Sequence, residues 1–476
     1  MSLQLTRFSI IGLHGKYNIE IPIADNRLIL VGVNGLGKTT VINFMYFVLS
    51  DQWTKLIDFE FSSIQLCING SEVEITRSDV ESKVNSIDRY QKLVARYVNR
   101  NMLPRALLSK MLSHPLFQQI RYTPDSDRDK LFAVISRDLN MPSMYLRRMI
   151  GDLPSSMQAD LFESLADPHS IIALNSIIRE AGGHQVIYLP TYRRIEQDLK
   201  AIFPHADNED LQKLTMSVDD TVRTRSKGYV ELVQFGMQDV EKKLSEELET
   251  IQKRTREQLT TLTASYLQDI IRSRADKVRP ELIETMSDAV VETVLRRVEE
   301  NTLSADDKRE VQNAIRRIRT GANPPEARDR YLAYFFSRLL DIYTDLHSSE
   351  IAIRTLVKTC NKYLVGKKLV YNDANFTSTV IDRDGSPLDW RMLSSGEKQV
   401  ASLFTHLYLS KEKSQIVLID EPELSLSVPW QKLLLPDIVD SENCKLLVAV
   451  THSPFIYSNA LDPYAVDLSK LIKLTH

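Results

Sequence analysis

The sequence predicts an α/β fold, with a mostly parallel sheet at its centre and two long helical stretches interrupting it. Three observations carry this. The runs Leu28-Ile29-Leu30-Val31, Gln415-Ile-Val-Leu-Ile419 and Leu446-Leu-Val-Ala-Val450 are too continuously apolar to alternate, as in strands buried on both faces. Each is followed by a polar turn at its carboxyl end, the edge where parallel sheets gather ligands. Between the first run and the other two lies a long stretch whose apolar residues recur at helical spacing.

At 476 residues the chain exceeds what one small core serves, so a large head with a substantial extra part is expected. Lys and Arg total 60 against 63 Asp and Glu, a formal charge of -3. That balance argues against a protein coated in nucleic acid by bulk electrostatics and leaves a local basic patch open. Cys67, Cys360 and Cys444 stand too far apart in sequence for a disulfide framework or a zinc site, which points to a reduced, cytoplasmic setting. No apolar run approaches the roughly 20 residues that cross a bilayer, so a soluble protein without a membrane partner is expected.

Along the chain, residues 1–84 read as strand, Gly-rich turn, helix and hairpin, with Asn69-Gly70 supplying the tight turn. Residues 85–184 form a helical insertion, broken at Pro104, Pro142, Pro154 and Pro168, and residues 185–200 a return strand. Residues 201–365 read as a helical, coiled-coil-like arm that also serves oligomerisation, and residues 366–476 as the second lobe of the head. In the arm, Met237, Val240, Leu244, Leu248, Ile251, Thr255, Leu259, Leu262 and Tyr266 make one stripe with an eleven-residue repeat. That is roughly 3.67 residues per turn, which suits a nearly straight helix better than a left-handed heptad coil. If it runs toward Pro280, the helix is about 40 residues, or about 60 Å.

Four motifs carry chemistry. Gly32-Val-Asn34-Gly35-Leu-Gly37-Lys38-Thr39 fits G-x-x-x-x-G-K-[ST] between an apolar strand and a helix start, where backbone N–H groups and the helix N-terminus attract phosphate. Lys38 is expected to reach the β- and γ-phosphates of ATP and Thr39 to hold Mg²⁺, with Thr40 completing the cradle. Asp420-Glu421 ends a buried-type strand, with Asp420 on the metal side and Glu421 as the candidate base for the attacking water. Thr451-His452-Ser453 ends another strand, and His452 is the candidate sensor of the γ-phosphate. Leu393-Ser394-Ser395-Gly396-Glu397 opens an apolar helix 26 residues before Asp420, a second phosphate-binding helix end.

In this order and spacing the motifs resemble those of ABC ATPases of the SMC/Rad50 and OLD type: Walker A, arm insertion, signature, Walker B, D-loop and switch histidine. The resemblance covers about 1–80 and 366–460. It implies an ABC-type P-loop head in which ATP lies between the Walker A of one subunit and the signature of another. Gly32, Asn34, Gly35, Gly37, Lys38, Thr39 and Thr40 would then cradle ATP and Mg²⁺, and Ser394, Ser395 and Gly396 would close on the γ-phosphate from the partner. Glu423-Leu-Ser-Leu-Ser427 lies where the D-loop belongs, with Ser427 at a position the family usually fills with Asp or His. Gln185 and the Thr191-Tyr192-Arg193-Arg194 turn are the candidates for the Q-loop.

Gly12-Leu-His-Gly-Lys16-Tyr17, Tyr188-Leu-Pro-Thr-Tyr-Arg-Arg-Ile195 and the run 420–427 also resemble stand-alone ATPases of bacterial anti-phage systems, the AriA type of PARIS and the PtuA type of Septu and retron-linked systems. This implies an ATPase that forms head-to-head dimers and higher homo-oligomers, senses infection through a phage-encoded trigger and controls a separate TOPRIM-type or HNH nuclease. The chain runs about two dozen residues past His452, so a nuclease is expected on another chain. The alternatives are a RecF- or Rad50-like repair ATPase that itself binds nucleic acid, and a binding module with a dead site; intact Lys38, Asp420 and Glu421 count against the last.

Overall fold

The computed structural model of the chain describes residues 3–98, 133–137, 168–191, 229–231, 237–272, 287–298, 303–320, 326–410 and 414–475. In chain order the head begins with strands β1 (Leu5–Leu13), β2 (Tyr17–Pro22) and β3 (Arg27–Val31), helix α1 (Lys38–Leu49), the hairpin β4 (Ser63–Ile68) and β5 (Ser71–Thr76), and helix α2 (Arg77–Val98). Helix α3 (His169–Glu180) then leads to β6 (Gln185–Leu189) and β7 (Tyr229–Glu231). Among the described residues the helices α4 (Gln238–Ile271), α5 (Asp288–Arg296), α6 (Ala305–Thr320) and α7 (Ala327–Cys360) follow. They lead to β8 (Lys367–Asn372), β9 (Thr377–Asp382), β10 (Pro387–Leu388) and helix α8 (Ser395–Tyr408). The chain closes through β11 (Gln415–Asp420), α9 (Val428–Val439), β12 (Cys444–Thr451), β13 (Ala465–Asp467) and β14 (Ile472–Leu474).

These elements form two compact units, Met1–Val233 with Glu412–His476, and Gln234–Lys411. Residues 366–411, with the Ser394-Ser395-Gly396 motif, belong to the same unit as the arm helices, whereas the sequence places the arm at 201–365 and a second lobe of the head at 366–476. Of the expected helical insertion at 85–184, α2, a helical turn at 133–137 and α3 are described, and the remainder lies outside the described residues.

The first unit holds two sheets. One is six-stranded and parallel throughout, in the order β13-β3-β12-β11-β6-β7. The other is antiparallel, in the order β14-β2-β1-β4-β5. Every residue of β11 is buried, as its unbroken apolar run predicts for a central parallel strand. Helix α1 is apolar nearly all round because it is covered on more than one side. Tyr46 stacks on Tyr188 of β6 at 4.3 Å, and Phe44 meets Phe59 and Phe61 edge-on at 5.1 and 5.4 Å. The Tyr188 hydroxyl, which would be costly to bury alone, donates to Asn43 Oδ1 at 2.7 Å.

In the second unit the stripe read from the sequence is the buried face of α4: Met237, Val240, Leu244, Leu248, Ile251, Thr255 and Leu262 are all buried. Thr255 tolerates that position because its hydroxyl donates back to the Ile251 carbonyl at 2.8 Å. The described helix has 34 residues, or about 51 Å. It runs antiparallel to α7, also 34 residues, through Arg254–Asp345 at mid-length and Tyr266 stacked on Tyr334 further along. Leu262, Val291, Leu295, Val311, Ile315, Phe336 and Leu339 form the core that these helices share. Replacing the fully buried Phe336 by Ala is expected to cost about 3–5 kcal/mol, read as an earlier loss of helical circular dichroism in urea.

Candidate functional site

The parallel register decides what meets. Val31 at the end of β3 pairs with Thr451 at the end of β12, Val450 pairs with Asp420 at the end of β11, and Ile419 pairs with Leu189 at the end of β6. Four strand ends therefore come out level, and the turns that follow them share one edge of the sheet. The glycine-rich turn 32–37, Asp420-Glu421, Thr451-His452 and Thr191 stand there together.

The glycine-rich turn needs backbone that other residues resist: Gly35 and Gly37 adopt φ of 83° and 85°. Gly37 caps α1, so the free N–H groups of that helix open onto the turn. Val33, Asn34, Gly35 and Thr39 are exposed, while Lys38 is buried. Lys38 Nζ donates to the carbonyls of Gly32 at 2.9 Å and Val33 at 3.0 Å, and lies 2.8 Å from His452 Nε2. An ammonium has only donors, so Nε2 accepts. Lys38 thus curls under its own turn and ties it to the β12 turn.

Asp420 is 2% exposed and accepts from Thr191 Oγ1 at 2.7 Å through Oδ2. Its Oδ1 is buried with no hydrogen-bond partner among the described residues. Burial raises the Asp420 carboxyl above its ordinary range and the Glu423 charge adds to that, against hydrogen bonds from Thr191 and Thr39 and the Lys38 charge. Glu421 is also raised, first by burial and then by Asp420 and Glu423, with His452 and Lys38 opposing. Lys38 is lowered by burial despite the three carboxylates. Glu421 has a left-handed backbone, φ 51°, and its N–H donates to the Val450 carbonyl at 2.8 Å. Such a conformation is uncommon for a residue with a side chain and persists only where its surroundings hold it.

An orphaned buried carboxylate oxygen beside the Thr39 hydroxyl, in a net negative cluster, fits a divalent cation. Thr39 and Asp420 are the residues that would hold Mg²⁺, which supplies charge neutralisation for phosphate oxygens when bound. Among the described residues no group of three or more His, Cys, Asp or Glu could hold a metal.

Two residues of this edge have partners that the sequence does not point to. Glu423 Oε1 accepts from the backbone N–H of His452 at 2.8 Å and of Ser453 at 3.1 Å, and Oε2 from Thr451 Oγ1 at 2.8 Å. It therefore pins the histidine turn, from a position that reads in the sequence only as part of the D-loop run. Thr191 acts on Asp420 across 229 positions, a separation that no local pattern reports. Gln185, by contrast, is no part of this edge: it begins β6 and pairs with Gln415 at the far end of β11, because the strands run parallel. Tyr192, Arg193 and Arg194 lie outside the described residues. Ser427 is exposed and precedes α9 without a side-chain cap.

Ser394, Ser395 and Gly396 stand in the second unit at the N-terminus of α8. Ser394 and Ser395 are exposed, Gly396 is buried, and Ser394 is the N-cap of a complete capping box. Glu397 N–H donates to Ser394 Oγ at 3.4 Å, and Glu397 Oε2 accepts from the Ser394 N–H at 2.7 Å and from Lys367 Nζ at 2.7 Å. Such boxes are worth about 1 kcal/mol. Burial would raise Glu397, but the hydrogen bonds from Lys367 and Ser394 outweigh it and hold the carboxyl below its ordinary 4.5.

The sequence matches the family described as "AAA domain, putative AbiEii toxin, Type IV TA system" over residues 252–458, less than half of the chain and without the glycine-rich turn. No curated protein matches it. Among solved structures, an Smc head domain with an extended coiled coil bound to the C-terminal domain of ScpA, from Pyrococcus furiosus, is 11% identical with a TM-score of 0.34, covering 99% of this chain and 96% of that one. An Smc head domain with a coiled coil and joint, from Pyrococcus yayanosii, is 13% identical with a TM-score of 0.32, covering 96% and 94%. Scores of this size decide nothing by themselves; the fold rests on the strand order and on the turn between β3 and α1, which make the chain a mixed α/β protein with a glycine-rich P-loop between strand and helix. Among the described residues no helix is long and apolar enough to cross a membrane.

Because Asp420 and Glu421 are raised, the stability they allow is full below their ordinary values and is lost as pH rises through the raised ones. At neutral pH the ionised pair is a liability. Asp420→Asn is therefore expected to raise the thermal midpoint by a few degrees in the absence of Mg²⁺, measured by differential scanning fluorimetry at pH 7. Glu397 has the opposite sign. The advantage of the wild type over Glu397→Gln in urea unfolding is expected in full above pH 4.5 and to vanish as pH falls through the lowered value.

Proposed function

We propose that the chain hydrolyses ATP at a composite site, with ATP-Mg²⁺ on the glycine-rich turn of one copy and the exposed serines Ser394 and Ser395 of a second copy closing on the γ-phosphate. The observation that carries this reading is the convergence of Lys38, Thr39, Asp420, Glu421 and His452 on one edge of the parallel sheet. In it, residues 32–40 bind the phosphates, Thr39 and Asp420 hold the cation and Lys38 neutralises phosphate charge. Glu421 accepts a proton from the attacking water, a role for which a raised carboxyl is a better match than an ordinary one. His452, held by Glu423, stands where a γ-phosphate would meet it.

The role that fits such an ATPase is control of a separate nuclease in anti-phage defence, with assembly of the heads governed by nucleotide state. The resemblance of residues 12–17, 188–195 and 420–427 to stand-alone defence ATPases supports this. An arm helix of about 51 Å is short for a long tether. A nuclease reading frame beside this gene is the expected finding; a replication or recombination operon there, together with salt-sensitive duplex binding by the chain alone, would replace the defence role with that of a DNA-repair ATPase.

Lys38→Ala is expected to abolish nucleotide binding in a fluorescent-ATP titration. Glu421→Gln is expected to bind ATP normally, slow turnover about 10²–10⁴-fold and accumulate the ATP-bound dimer in size-exclusion chromatography. Unchanged turnover in Glu421→Gln would remove its assignment as the base.

A further inference from the structure

Residues that would reach across to a second copy's nucleotide must be held from behind, because they are themselves exposed. Ser394 and Ser395 are exposed, and what fixes them is Glu397, which is 3% exposed. A glutamate at the third position of a helix normally satisfies the cap and faces water. Here a single oxygen, Glu397 Oε2, takes both the Ser394 N–H and Lys367 Nζ, each at 2.7 Å. A buried carboxylate is tolerable only with such a partner, and the partner's position then dictates its own.

Lys367 is in turn fixed by its strand. It opens β8, which pairs with β9 without a slip from Lys367↔Asp382 to Asn372↔Thr377. The far end of this hairpin is anchored on the arm helices. Asp373 in its turn accepts from Arg296 at 2.7 Å and from Arg354 at 2.9 Å. Arg354 and the buried Arg297 both donate to Glu350 Oε2, at 3.0 and 2.8 Å, and Glu350 is fully buried. A hairpin fastened at its turn by ion pairs that rest on the buried Arg297–Glu350 pair has little freedom to carry Lys367 away from Glu397.

We propose that Lys367 is a positioning residue for the ATPase reaction: through Glu397 it sets the Ser394-Ser395 turn in the geometry that a second copy's γ-phosphate meets. This rests on the composite-site reading. Lys367 touches no nucleotide, so it acts on closure and turnover and leaves binding to the glycine-rich turn alone.

The test compares Lys367→Met, Lys367→Arg and Glu397→Gln in the full chain. Lys367→Met is expected to bind fluorescent ATP with an unchanged Kd, to lose about tenfold in kcat and in ATP-dependent dimerisation, and to speed amide hydrogen exchange at 394–398 about tenfold. Lys367→Arg, which keeps the charge, is expected to recover most of each. Glu397→Gln, which keeps the shape of the cap, is expected to fall between them and decides the matter if Lys367→Met does not fold. Wild-type kcat and wild-type exchange in Lys367→Met would overturn the proposal, as would Lys367→Arg behaving like Lys367→Met. If the wild type shows no ATP-dependent dimerisation, the composite-site reading fails and the catalytic role of Lys367 with it, while faster exchange in Lys367→Met would still show that the lysine holds the turn.

Discussion

Parallel pairing in register is the constraint on which the head depends. Strands that run the same way and stay paired to their carboxyl ends must end level, so the turns after β3, β6, β11 and β12 are delivered to one edge whatever residues they contain. The sheet can hold that register because its central strands are buried on both faces, where a slip would expose apolar surface and strand buried N–H and C=O groups. Chemistry is then a matter of which side chains stand in those turns. Glycine gives the β3 turn the positive φ that opens it to phosphate, and carboxylates and a histidine face it from the neighbouring ends.

Bringing these groups together has an electrostatic cost. Three carboxylates, Asp420, Glu421 and Glu423, lie near one buried lysine. Each of them is handled differently. Glu423 is spent on backbone N–H groups and a hydroxyl, which makes it structural in effect: it holds the turn that carries His452. Asp420 is satisfied on one oxygen only, and Glu421 is held in a left-handed backbone beside it. The carboxyls of Asp420 and Glu421 are raised first by burial and then by the neighbouring carboxylates.

The second unit solves a different problem. Its serines are exposed, so no burial of their own can fix them, and their geometry is borrowed from the capping box, from Lys367 and from a hairpin whose turn is fastened to helices by Arg296, Arg354 and Asp373. Local sequence secures the start of the helix; the distant Lys367 charge holds the buried Glu397 of its cap. The long stripe on α4 shows the same division. Its periodicity makes the helix, while Thr255 is compatible with that face only because it can return its hydroxyl to the helix backbone.

By itself the sequence determined the parts whose signals are local: the apolar runs that become β3, β11 and β12, the glycine-rich turn with Lys38 and Thr39, the Asp420-Glu421 pair, the Ser394 cap and the stripe of α4. In each, a spacing of a few residues is the physical cause of the structure, so reading the spacing reads the element. Tertiary structure decided the rest. That Thr191 and not Gln185 serves Asp420 follows from which end of β6 lies at the ligand edge, and direction within a sheet is set by pairing. That Glu423 holds the His452 turn and Lys367 holds the Ser394 cap depends on partners 28–30 residues away in chain position, and their identities, Glu and Lys, are ordinary surface residues in any local reading. That residues 366–411 pack with the arm helices depends on long-range burial of α8 and the β8–β9 hairpin. Short-range periodicity records none of these, because they arise only when the folded chain brings distant charges into a medium too poor in water to leave them unpaired.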